Sequence, residues 1–390
     1  MVHKIWQPPH LHRDINPEEE RKVTWLELFY DLVYVATLIQ LGNTLSEEVT
    51  LMGFAQFAIV FTPIWWTWTG VTFYMNRFVV DDIWHRLLIF VQMCAIAWLG
   101  VSVEGAFGEL AGQFALAYAA IRLVLVLLYL RTWRNAPTTR LLTRRYVAAH
   151  LIGVVLWCVS AFLPAPGNYI LWLAALAIEI GNVFLPKTRQ LQTLLPPDPH
   201  HMIERYGIFT LIVLGESFIK TISAASGFMI NIETLLFSLF GIGIVFGLWW
   251  LYFNDSEKSS LKPAHWAPYV WIYAHLPLTI GLTAFGVASK KLFLSVGEDQ
   301  LKYNYIVLYC VAIILVGLAI FLIDLATTSR RGLWRVGMML AFVLLALLGS
   351  QLSALTFVIL AAAVLAGQII ADILPTRSES QSPTAESAQS

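Results

Sequence analysis

Apolar runs of about 20 residues recur along the chain, and each is long enough to cross the roughly 30 Å hydrocarbon layer of a bilayer as one helix. Short polar connections separate them. The pattern predicts about twelve transmembrane helices, at roughly 24–43, 52–74, 83–103, 112–131, 146–163, 168–185, 202–222, 233–253, 266–288, 303–325, 333–349 and 352–373. Residues 1–23 are polar, rich in Pro, His and Glu, and lack the apolar stretch of a cleavable signal. Residues 376–390 are rich in Ser, Thr and Glu, and are expected to be a disordered tail.

Two of the runs look alike. Glu27-Leu28-Phe29 opens one and Glu204-Arg205-Tyr206 the other, and each closes, nineteen residues after the glutamate, on the serine of Thr-Leu-Ser or Thr-Ile-Ser. Ile59-Val60-Phe61 before Trp65-Trp66 resembles Ile244-Val245-Phe246 before Trp249-Trp250, and Leu185-Pro186 resembles Leu374-Pro375. The offsets, 177 for the glutamates, 185 and 184 for Ile-Val-Phe and Trp-Trp, and 189 for Leu-Pro, drift upward along the chain, as small loop insertions produce. The expected fold is therefore an all-α integral membrane protein with two six-helix repeats. Six is even, so both repeats insert the same way up, with polar sites near the interface between halves. The divisions are a 1–23 amino-terminal segment, a 24–186 first repeat, a 187–201 linker, a 202–375 second repeat and a 376–390 tail.

Charge adds an orientation. Connections on one side of the twelve spans carry 20 Lys and Arg, and those on the other carry 4. This asymmetry puts both termini, and the linker, in the cytoplasm. The expected location is a bacterial cytoplasmic (inner) membrane, with the lipid bilayer as the first partner. Hydrophobic residues make up 58% of the sequence and charged residues 13%, with a mean hydropathy of +0.69, which excludes an ordinary soluble domain. Net charge is zero, giving no electrostatic case for nucleic acid. Cys94, Cys158 and Cys310 sit in apolar runs without metal spacing and are expected to be buried free thiols.

Ionisable residues inside the runs carry the candidate chemistry, because each costs about 2.5–3.5 kcal/mol on insertion scales and is retained for a reason. Glu27 and Asp31, spaced i and i+4, share a helix face. Such a pair suits proton sharing; the plainer reading of Glu27 is a solvated acid at a helix start. Arg122 lies in mid-span and needs a partner. Glu179, at similar depth, is the first choice, with Asp31 and Glu216 as rivals, and a purely structural ion pair is as good a reading as a transport role. His201, Glu204 and Arg205 form a cytoplasmic charged cluster at the start of the seventh span, either a gate or a capped helix end. Glu216 lies about 18 Å deeper, between Gly215 and Ser217, and suits the lining of a polar path. His150 and His275 are expected to be packing residues, and Pro277 a kink. Trp65, Trp66, Trp68, Trp249 and Trp250 suit interface anchors, and Arg131 snorkels. Glu104 and Asp324 fall near span ends and should be wet.

The sequence has no His-x-x-x-His, cysteine pair, phosphate loop or Gly-x-Ser-x-Gly elbow. No metal, cofactor or catalytic residue is called for. The stretches TWLELFYDLVYVATLIQLGNTL (24–45) and HMIERYGIFTLIVLGES (201–217) resemble the low temperature requirement A family of bacterial membrane proteins, over about residues 20–375. The family name records a growth phenotype in the cold and implies no established substrate. The first stretch is also similar to the opening helix of the endolysosomal potassium channels, which read Phe-Ser-Asp. Phe29 and Asp31 match that motif, Tyr30 replaces its serine, and the second repeat has Ile208 at the aspartate.

The leading expectation is a proton-coupled transporter of a small solute or ion, with Glu27, Asp31, Arg122, Glu179 and Glu216 along an interior path. The alternatives are a cation channel of two six-helix repeats and an intramembrane lipid-handling enzyme, since buried acids also serve acid–base chemistry. A homo-oligomer is compatible with the sequence, which specifies neither subunit number nor substrate.

Overall fold

The computed structural model describes residues 5–11, 21–225, 231–256, 260–297, 301–328 and 332–374. Most of the amino-terminal segment and the tail expected to be disordered lie outside these residues. The described chain is almost wholly helical, with one two-residue ribbon, β1 (His10–Leu11) antiparallel to β2 (Phe78–Val79).

Thirteen α-helices occur among the described residues: α1 (Trp25–Glu47), α2 (Leu51–Arg77), α3 (Ile83–Ser102), α4 (Ala111–Asn135), α5 (Arg140–Ser160), α6 (Gly167–Phe184), α7 (Pro186–Leu194), α8 (Pro199–Ala225), α9 (Ile232–Ser256), α10 (Ala267–Leu294), α11 (Tyr303–Ala326), α12 (Gly332–Leu348) and α13 (Ala354–Ile373). Several starts follow from local chemistry. Thr24, Thr50, Asp82 and Ser353 each accept a backbone N–H of the first turn, satisfying a donor that has no partner within the helix. Helix α10 continues through Pro277, where the sequence suggested a kink.

Among the described residues, eleven segments are long and apolar enough to cross a membrane. Helix α2 is equally long but less hydropathic, because Trp65, Trp66 and Trp68 and four threonines fall in it. Those residues are buried: Trp65, Trp66 and Trp68 are at most 6% exposed. They are therefore not the interface anchors expected, because α2 is packed by other helices on more than one side. The short α7, amphipathic in pattern, occupies part of the linker region.

The chain packs as two compact units, Met1–Glu216 and Ser217–Ser390. In the first, α1 packs on α2 and α3, α3 on α4, α4 on α2 and α5, and α5 on α6, with α7 against both α5 and α6. In the second, α9 packs on α10 and α13, α10 on α11, α11 on α12 and α12 on α13. Small residues allow the tightest approaches. A Cβ at Gly281 of α10 would lie 2.8 Å from the Ala312 carbonyl oxygen of α11. Outward-facing side chains such as Leu87, Phe90, Leu173 and Leu347 are apolar, as a lipid-facing surface requires. Cys94 faces outward and Cys158 is half-buried, so only Cys310 is the buried thiol expected of all three; all are free.

Candidate functional site

Thr24 and Glu27 form a reciprocal cap at the start of α1. Glu27 N–H donates to Thr24 Oγ1 (3.3 Å), while Thr24 N–H and Oγ1–H donate to Glu27 Oε2 (2.8 and 2.9 Å). The second oxygen, Oε1, lies 3.4 Å from His201 Nε2, 3.5 Å from Arg21 Nη2 and 3.6 Å from Arg205 Nη1. Glu27 is thus a helix-start acid, but at 2% exposure not a solvated one. One turn deeper, Asp31 Oδ1 accepts 2.7 Å bonds from both Arg205 Nη2 and Trp68 Nε1. Arg205 therefore spans the two acids that share a face of α1.

At the first turn of α8, His201 and Arg205 are fully buried. The reason is packing within the first unit. Asn76 of α2 exchanges hydrogen bonds with the Asp198 backbone and lies 3.1 Å from His201 Nδ1 through its amide nitrogen. An Nδ1 that accepts from this amide leaves the proton on Nε2, facing Glu27. Glu204 points elsewhere and accepts from the Val23 N–H at 3.2 Å.

A second cluster lies on α4 and α6. Arg122 Nη2 is 2.7 Å from Glu179 Oε2, both side chains being completely buried. Tyr118, one turn before Arg122, accepts from its Nε and Nη2 (3.0 and 2.9 Å) and donates to the same Glu179 oxygen at 3.2 Å. Trp66 Nε1 donates to it as well, at 3.0 Å. His150 Nδ1 is 4.0 Å away, with the ring stacked on Tyr129 and Tyr146. Two glycines make the room: a Cβ at Gly70 would lie 2.7 Å from Arg122 Nη1, and one at Gly153 would collide with the Glu179 carboxylate.

The two clusters have the same design. Each carboxylate is held through one oxygen by an arginine and an indole N–H, and no hydrogen-bond donor among the described residues reaches Asp31 Oδ2 or Glu179 Oε1. Trp66 and Trp68 are two residues apart, so at 100° per residue they leave α2 on nearly opposite faces. Between them Thr67 accepts from Tyr34 (2.9 Å), which accepts from Tyr30 (3.3 Å). A buried hydroxyl run thus lies between the two clusters. Glu216 is also buried but lies eleven residues beyond Arg205, about 16 Å along α8, and so is remote from the Arg205 cluster.

The second unit holds a cluster that sequence reasoning missed. Arg335 Nε lies 2.5 Å from Asp324 Oδ2 and its Nη1 3.4 Å from Asp372 Oδ2, and Gln368 Nε2 donates to Asp372 Oδ1 at 2.8 Å. Asp324 is 4% exposed, not wet, because Arg335 folds back onto it from the start of α12. His275 is a packing residue, within 2.9 Å of the Tyr252 hydroxyl and 2.7 Å of the Trp271 carbonyl.

Outside the spans, Asp82 caps α3 and accepts from the N–H groups of His85 (2.7 Å) and Gln7 (2.6 Å) and from Arg131. Burial opposes ionisation of this carboxyl, but the Arg131 bond and the two backbone bonds outweigh it and hold it below its ordinary value. Arg131 therefore pairs rather than merely snorkels. No group of three metal-ligating side chains occurs among the described residues.

Residues 22–370 match the sequence model of the bacterial low temperature requirement A protein family. The chain belongs to that family. It is also 29% identical over 304 residues to an uncharacterized protein of Rhizobium meliloti (strain 1021), covering 72% of this chain and 70% of the relative. Both resembling stretches fall inside the family match, and the first cluster draws Glu27 and Asp31 from one and His201 and Arg205 from the other.

Proposed function

We propose that the chain is a proton-coupled transporter of a small solute in the bacterial cytoplasmic membrane. The observation that carries this reading is the pair of half-satisfied carboxylates. Asp31 and Glu179 each have one oxygen saturated by Arg and Trp and one buried oxygen that no described donor reaches. A buried acceptor without a donor costs about 1–3 kcal/mol, and a proton on that oxygen removes the buried negative charge that makes the missing donor costly. Protonation of Asp31 also weakens its hold on Arg205, so proton uptake is coupled to opening of the α1–α8 contact at the Glu27–His201 end. Glu179 and Arg122 form the inner site, with the Tyr30–Tyr34–Thr67 hydroxyls between.

Two repeats are part of this reading, and paired contacts support them. In α1 and α3, Thr37 Oγ1 donates to the Ile96 carbonyl at 3.3 Å, and Gly100, four residues on, packs against Thr37. In α8 and α10, Ser217 Oγ donates to the Leu282 carbonyl at 2.7 Å, and Gly286, four residues on, packs against Ser217. The offsets between these pairs, 180 and 186, fall within the 177–189 drift of the sequence. With six spans per repeat and Lys and Arg concentrated on one side, both termini are cytoplasmic.

The test is flux in proteoliposomes, with proton- and potassium-sensitive dyes, for wild type and Asp31→Asn across a panel of amino acids, sugars and organic cations. Proton movement that needs an added solute, and is lost in the variant, is the expected result. Rapid voltage-driven potassium flux without any solute refutes it in favour of a channel. Silence in both dyes, with altered lipids in a deletion strain, refutes it in favour of a lipid-handling enzyme.

A further inference from the structure

A groove of about 730 Å³ opens on the outer side of the first unit between α5 and α6, where α7 crosses their ends. Its chemistry is divided along its length. Arg144, Arg145 and Lys187 line one end, and no acidic side chain is among the lining residues. Ile152 and Ile178 line the other end, with Ala148, Ala177 and Gly181 keeping the floor shallow. Arg144 and Ile152 are eight residues apart on α5, so cationic and apolar ends are separated by about 12 Å along the helix.

Two details show the cationic end to be built. Arg145 is fixed through Nε, which donates to Thr188 Oγ1 of α7 at 2.6 Å, and this hydroxyl lies 3.4 Å from Asn182 Oδ1. The Nη groups of Arg145 are thereby left for another acceptor, in the fork geometry that suits phosphate. Asn182 is only 8% exposed, and its amide Nδ2 finds no acceptor among the described residues. An unpartnered buried donor beside three cations asks for an anion.

We propose that this groove binds one anionic phospholipid, with its phosphate on Arg144, Arg145, Lys187 and Asn182 and its first acyl methylenes along Ile152 and Ile178. A soluble anion would need only the first half of the site; the apolar wall running toward the bilayer centre selects a lipid. The amphipathic α7, placed where α6 ends, lies at the depth of the headgroups. The occupant is a structural or regulatory lipid, and the site is distinct from the Arg122 and Arg205 clusters.

The test is native mass spectrometry of the delipidated full chain, titrated with phosphatidylglycerol, phosphatidylcholine of the same acyl chains, or glycerol phosphate. Phosphatidylglycerol should bind at least about tenfold more tightly than phosphatidylcholine, since each cation near a headgroup adds a favourable increment. Arg144→Gln/Arg145→Gln/Lys187→Gln should lose that preference, whereas Lys290→Gln/Lys291→Gln should keep it. Ala148→Phe/Ala177→Phe retains the cations and fills the exposed floor, and should lower phosphatidylglycerol retention even if the triple variant does not fold. Equal binding of the two lipids, an undiminished preference after filling the floor, or equal protection by glycerol phosphate overturns the proposal.

Discussion

The Arg122–Glu179 pair allows a quantitative test, because each partner's remaining contacts are known. Arg122→Met leaves a buried carboxylate with only the Trp66 and Tyr118 donors, and Glu179→Gln leaves a buried guanidinium facing neutral acceptors, with no counter-charge at the site. Breaking a buried pair in this way costs about 3–5 kcal/mol. The double variant Arg122→Met/Glu179→Gln has no buried charge at the site, and its carboxamide oxygen still accepts from Trp66 and Tyr118. It should lose only about 1–2 kcal/mol, set by one imperfect amide N–H. Additive single losses would total about 6–10 kcal/mol, so the cycle should return a coupling of several kcal/mol. The assay is denaturant unfolding in mild detergent, followed by tryptophan fluorescence. A double variant whose loss equals the sum of the singles within about 0.5 kcal/mol would refute the contact. The same double variant, folded but silent in the flux assay, separates a transport role from a structural one.

Trp68→Phe keeps the ring that stacks on Phe209 at 4.1 Å but removes the donor to Asp31, and should cost about 1–3 kcal/mol in the same unfolding assay. Gly153→Ala should cost about 1–3 kcal/mol by overpacking and should abolish flux, because the added methyl displaces a carboxylate pinned by three donors. An unaltered flux would show that Glu179 is free to move. Asp82 gives a pH dependence with a definite sign. Its folded-state pKa is lowered, so its stabilisation is complete above the unfolded value, about 3.9, and is lost as pH falls through the lower folded one. The gap in melting temperature between wild type and Asp82→Asn should be constant from neutral pH down to about 5 and then close in more acidic buffer. A gap that widens on acidification contradicts the assignment.

The helical membrane class was legible because about 20 apolar residues per run is a strong, local signal, and the acids inside those runs stood out by their cost. Arg122 and Glu179 could be brought together on depth alone. What the sequence hid was direction around each helix axis. Trp66 and Trp68 look like an aromatic belt in one dimension; only the packing of α2 turns them inward to two different carboxylates. Arg335 was indistinguishable from a loop cation, being three residues inside α12, and only its fold back to Asp324 and Asp372 buries it. Arg205 was hidden for the same reason: adjacent to Glu204 at a helix start, it carries no mark in the sequence that one side chain meets a backbone N–H and the other crosses to α1. A usable signal did exist in the Trp-Thr-Trp of α2, whose polar edges are too many for a helix that needs only to meet lipid.

Stability alone does not account for these clusters. A buried ion pair in a helical bundle is no better than well-packed apolar residues of similar volume, and replacing one by such residues is often neutral or stabilising. Leucine and methionine at the positions of Arg122 and Glu179 would also spare the insertion cost of two charges. Against that background, a chain that holds two acids through one oxygen each carries an additional penalty at the two oxygens without donors, and carries it twice with the same Arg–Trp pattern. A purely structural pair would be more stable with both carboxylate oxygens hydrogen-bonded. Glu27 and Asp31 differ in what their bonded oxygen does: Glu27 Oε2 closes the cap of α1, whereas Asp31 Oδ1 takes Arg205 and Trp68, so on the proposed reading Glu27 fixes the helix start and Asp31 exchanges the proton. On that division, Glu27→Gln should impair folding more than flux, and Asp31→Asn flux more than folding, a crossed outcome readable from detergent unfolding and proteoliposome flux on the same two preparations. Parallel losses in both variants would return the whole cluster to a structural role.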